Sequence, residues 1–108
     1  MSWIELIRVR SNDDCSDEII HQLDNSIAKI ADMKKVMMAG IFQHFEYNGD
    51  IAVIIHWDDG LEPCKSHVGV AFADYLSRFG PVEHAVWKFK KFVSVSVKRI
   101  LNQTEEAV

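Results

Sequence analysis

The sequence predicts a single α+β domain whose elements follow the order β-α-β-β-α-β. Three observations carry that expectation. β-branched and aromatic side chains crowd 3–10 and the two runs of 36–57, and 82–92 alternates with the two-residue period of a strand. Two intervening stretches repeat at helical spacing instead. The chain's 108 residues, 48% of them hydrophobic and 26% charged, make one ordinary domain with one core. Residues 1–100 are expected to form that domain and 101–108 a frayed tail.

The first strand, Trp3 to Arg10, is rich in β-branched and aromatic types and ends at the polar cluster Ser11-Asn12-Asp13-Asp14. Ser16 then offers an N-cap oxygen, and Asp17 and Glu18 suit the positive end of a helix dipole. Ile19, Ile20, Leu23, Ile27, Ile30 and Ala31 fall on one stripe, so an amphipathic helix runs to about Lys34-Lys35. From Val36 to Trp57, Asn48-Gly49 sits between two β-type runs. As the two-residue loop of a hairpin it pairs Gln43 with Ile54 and Ile41 with His56, and puts Phe42 and His44 on the same face as Val53 and Trp57. A second helix is expected to be capped around Cys64 to Ser66, with Val68, Phe72, Tyr75, Leu76 and Phe79 as its stripe, and to stop at Gly80-Pro81. A strand over 82–92 follows, and Val93, Val95 and Val97 continue its period.

Composition excludes several classes. Twelve basic against sixteen acidic residues give a net charge of −4, which disfavours neutralising nucleic-acid phosphates. Cys15 and Cys64 are too few for a disulfide framework and lack zinc-site spacing. No apolar run reaches the roughly 20 residues a membrane span needs, and there is no signal-peptide pattern, so the expectation is a cytoplasmic protein without nucleic-acid or membrane partners.

The element order is that of the ferredoxin-like split βαβ fold, a four-stranded antiparallel sheet with two helices on one face. The other face is left open, yet both faces of the hairpin are apolar: Ile41, Phe45, Tyr47 and Ile54 on one, Phe42, Ile51, Val53 and Ile55 on the other. Such a patch exceeds what soluble monomers usually expose, and a second copy packed sheet to sheet is the simplest cover, so a homodimer is expected. The hairpin leading into His56-Trp57-Asp58-Asp59, the helix from Ser66-His67 to Phe79, and Gly80-Pro81-Val82-Glu83-His84-Ala85-Val86-Trp87 resemble the dimeric α+β-barrel proteins that include the antibiotic biosynthesis monooxygenases.

That resemblance implies a cofactor-independent monooxygenase acting on a small aromatic or polyketide-like molecule held between helices and sheet. Such chemistry asks for a water-poor cavity, a base near neutral pH and donors for the anion formed. His67, which resembles the histidine many members carry near the start of this helix, and His44 are the catalytic candidates, each also readable as a helix-start or core residue. Trp57, Phe72, Tyr75 and Trp87 are the substrate-wall candidates, alternatively plain core. No metal site is expected, because His44 and His56 fall on opposite sheet faces; no cofactor is expected either. The first strand carries no asparagine of the kind haem-degrading relatives use. The competing reading is a non-catalytic dimeric module that binds a small ligand or only supports structure, and a cavity of roughly 300 Å³ or more separates the two.

Overall fold

The structure is a computed structural model and describes residues 2–91. Its order is β1 (Trp3–Arg10), a short 3-10 turn (Asp13–Cys15), α1 (Ser16–Ala31), β2 (Val36–Gln43), β3 (Asp50–Trp57), α2 (His67–Leu76) and β4 (Val82–Lys88). The strands form one antiparallel sheet in the order β2-β3-β1-β4, the arrangement expected from sequence. The proposed Val93–Val97 extension and the tail lie outside the described residues.

Both helices cover one face. Trp3, Ile7 and Val9 of β1 alternate inward with Ile51, Val53, Ile55 and Trp57 of β3, and close against Ile19, Leu23 and Ile30 of α1 and Phe72 and Leu76 of α2. Trp3 and Trp57, paired across the strands, stack with ring centroids 5.7 Å apart. Helix α1 lies over β2 and β3, and α2 over β1 and β4, so the two helices flank a cleft above the centre of the sheet. Ser66 is the N-cap of α2, its side chain accepting from the Gly69 N–H. Helix α1 stops at Ala31, short of Lys34-Lys35, and α2 at Leu76, short of Gly80.

The hairpin corrects the expected register. Gln43 pairs with Ile51 and Phe42 with Ala52, so the connection is the six-residue loop 44–49. Asn48-Gly49 does form a tight turn, closed by the Asp50 N–H donating to the Tyr47 carbonyl at 2.9 Å, but it only ends this longer loop, and contacts from outside the hairpin hold Gly49. Its carbonyl accepts from the Ser11 N–H and hydroxyl, both at 2.8 Å, and its N–H donates to Asp13 at 3.1 Å. A Cβ at Gly49 would overlap the Ser11 carbonyl, so glycine is required there for close approach. The shift of three residues is odd and turns β2 over: Ile41 and Ala39 face the core, while Phe42 faces outward with Ile54. Met38, Phe42 and Trp87 are exposed on that open face, beside Ile4, Leu6 and Ile54.

Candidate functional site

Two features of the helix-covered half have the makings of a site. The first is a buried polar cluster. Glu5 occupies an inward position of β1 where the alternation calls for an apolar residue, and it is 0% exposed. Its Oε1 accepts from Trp57 Nε1–H at 3.0 Å and from the Ser66 hydroxyl at 2.6 Å. Oε2 accepts from the Ser66 N–H at 3.0 Å and lies 2.5 Å from His84 Nε2. A carboxylate has about four acceptor positions, and three are taken by groups that can only donate here. We therefore assign the fourth contact to His84 Nε2–H, which fixes the ring's orientation. Gly69 makes room for this arrangement, since a Cβ there would overlap the Glu5 carboxylate and come within 2.9 Å of His84 Nε2. The cluster ties β1, β3, β4 and the start of α2 together through one buried carboxyl group whose acceptors are all satisfied.

The second feature is the groove between α1 and α2, about 410 Å³ in volume. Its floor is Leu23, Ile30 and Phe72; Val68, Ala71 and Tyr75 form the α2 wall, and Gln22, Ser26 and Lys29 the α1 wall. The spacing explains each wall: Gln22, Ser26 and Lys29 share one side of α1 next to its buried stripe, while Val68, Ala71, Phe72 and Tyr75 make the apolar side of α2. Tyr75 packs edge-on against Phe79 with ring centroids 5.4 Å apart, and the Arg78 guanidinium lies 5.7 Å from the Tyr75 ring centre. Burial, and secondarily the charge of Glu18, raises the Tyr75 phenol above its ordinary value of 10.0, so at neutral pH it is a hydrogen-bond donor.

Of the residues singled out from sequence, the groove brings together Phe72 and Tyr75. Trp57 lies in the core and donates to Glu5; Trp87, 58% exposed, stands on the opposite sheet face. His67 is the exposed first residue of α2, one position before the lining residue Val68. His44 is not on the sheet face expected for it. It stands exposed in the loop 44–49, its Nδ1 accepting from the N–H groups of Glu46 and Tyr47 at 3.0 and 3.2 Å and its ring lying against Tyr47. The displacement follows from the longer loop. His56 lies on the open face, and His21 is exposed on α1. Among the described residues no group of three or more His, Cys, Asp or Glu is placed to hold a metal ion.

Glu5, Ser66 and His84 form a cluster that no motif or spacing in the sequence brings together. The available signal was Glu5 itself, a carboxylate in register with Trp3, Ile7 and Val9. It was masked because the other face of β1 carries Arg8 and Arg10, so neither face looked cleanly apolar.

No protein-family profile and no curated protein matches the sequence. Solved structures do match the fold. A conserved protein from Methanosarcina mazei Go1 superposes with a TM-score of 0.65 at 13% identity, covering 83% of this chain and 94% of its own. SnoaB, described as a cofactor-independent oxygenase from Streptomyces nogalater, gives 0.64 at 12%, covering 85% and 96%. A structure described as an antibiotic biosynthesis monooxygenase gives 0.64 at 9%, covering 84% and 100%. The chain thus has the ferredoxin-like α+β fold of the antibiotic biosynthesis monooxygenase-like proteins. Likeness at these identities concerns architecture, and activity has to be argued from the site.

Proposed function

We propose that the chain binds a small, flat, largely apolar molecule in the α1/α2 groove and acts on it as a cofactor-independent monooxygenase, working as a homodimer joined through the open sheet face. The observation that carries this reading is the groove itself: about 410 Å³, in the range of small-molecule sites, with an apolar floor and a few polar groups at its edges. An electron-rich phenol or enol, once ionised, can pass electrons to molecular oxygen directly. Counted from the neutral phenol or enol, the substrate loses two hydrogens, the hydroxyl proton on ionisation and one from the carbon attacked; that carbon keeps one oxygen atom as a carbonyl, and the other leaves as water. The groove would shield the anion from water, and the Tyr75 hydroxyl would donate a hydrogen bond to a neutral oxygen elsewhere on the body. His67, next to the lining residue Val68, is the base candidate.

Oxygen uptake with hydroxyanthrones and hydroquinones tests this. Turnover that is abolished by Ala71→Trp, which fills the groove, supports the reading; uptake that ignores that substitution overturns it. A second reading, a binding module without catalysis, is favoured by one observation: among the described residues, no histidine lines the groove. Binding that Ala71→Trp blocks, with no oxygen consumed, would select it.

A further inference from the structure

Taking the α1/α2 groove as the ligand site, we propose that it selects a molecule with one anionic oxygen group, a carboxylate or an ionised enol, on the edge of a flat apolar body, and that Lys29 is the selecting residue. The two walls differ in chemistry. The α2 side offers carbon from Val68, Ala71 and Phe72, whereas the α1 side offers an amide, a hydroxyl and an ammonium in succession. No carboxylate lines the groove, and Lys29, its one charged residue, has no ion-pair partner among the described residues.

Position adds to this. The antiparallel strands run the two helices in opposite directions, so Lys29 on the last turns of α1 lies toward the start of α2, and Tyr75 lies toward the other end. From Gln22 to Lys29 the helix rises about 10 Å, which sets the length of body whose polar edge can follow α1 while its charge reaches Lys29. The chain as a whole carries −4, so its overall field repels an anion. Preference for one must then come from local contact, which solvent screens only in part at this range, and Lys29 is the cation that lines the groove, Arg78 lying against the ring of Tyr75 toward the other end.

The test compares binding of an anthracene carboxylate with its carboxamide, and of an anthrone with the methyl ether of its enol form, to the parent, to Lys29→Gln and to Ala71→Trp. We expect the anion to bind roughly three- to tenfold more tightly than its neutral counterpart, the range for a partly exposed charge-assisted contact, with the preference lost in Lys29→Gln. Preference within the first pair assigns the group to a carboxylate, and within the second to an ionised enol. Equal binding of charged and neutral probes, blocked by Ala71→Trp but unchanged by Lys29→Gln, overturns the role of Lys29 and leaves the ligand site standing. No binding of any probe, or binding that Ala71→Trp does not weaken, removes the ligand site and the selectivity with it.

Discussion

Replacing Glu5 by leucine tests whether its carboxylate holds the start of α2 in place. Leucine is close to glutamate in size, so little cavity is left, and the cost comes from the donors. Trp57 Nε1–H and the Ser66 N–H are fixed in direction and lose their only acceptor, at about 1–3 kcal/mol each, whereas the Ser66 hydroxyl and the His84 ring can turn to other partners. The expected loss is about 2–6 kcal/mol, a large part of the roughly 5–15 kcal/mol that stabilises a domain of this size. Glu5→Gln keeps one acceptor oxygen and puts an amide N–H group toward the remaining donors, so it should lose less, about 1–3 kcal/mol. Urea unfolding followed by Trp fluorescence reads both, with an unchanged slope marking a stability effect rather than a changed unfolded state. A leucine variant that unfolds at the parent's midpoint would refute the argument, because an apolar side chain would then replace the carboxylate without penalty.

Gly69→Ala removes about 1 kcal/mol of helix-propensity cost, yet it should destabilise by about 1–3 kcal/mol because the new methyl overlaps the Glu5 carboxylate; thermal unfolding decides, and a stabilised variant contradicts the packing. Tyr75 ionises later in the folded chain than in the unfolded one, so the stability it contributes is present below pH 10 and is lost as pH rises through its folded value above that; in an ultraviolet titration of the native protein, Tyr75→Phe should delete a late-ionising component, and an unchanged curve counts against the burial. Ile54→Asp, on the open face, should yield a folded monomer by light scattering where the parent scatters as a dimer, and a monomeric parent would remove the sheet-to-sheet proposal.

The strand and helix periods survive translation into structure where an element buries one regular stripe, as β1, β3, α1 and α2 do. Trp3–Arg10 is a strand as expected, and Val36 and Trp57 bound the hairpin. The hairpin register was not legible, since Asn48-Gly49 forms its turn but at the end of a six-residue loop, with Gly49 held by Ser11 and Asp13, contacts distant in sequence. That one difference carries His44 into a loop and Phe42 to the open face. For the site, helical spacing placed Phe72 and Tyr75 together, but it could not show that Trp57 is turned to Glu5 or that Trp87 faces outward, because both depend on cross-strand register. The Glu5–His84 contact joins residues 79 positions apart, and only the sheet order β1-β4 brings them together.

Whether the α1/α2 groove holds the ligand is decided by amide chemical-shift mapping of the isotope-labelled protein titrated with an anthracene carboxylate. Saturable shifts concentrated on Gln22, Ser26, Lys29, Val68, Ala71 and Tyr75, all lost in Ala71→Trp, are expected. Shifts centred instead on the open face, around Ile54, His56 and Trp87, or a groove that stays silent throughout the titration, would contradict that placement.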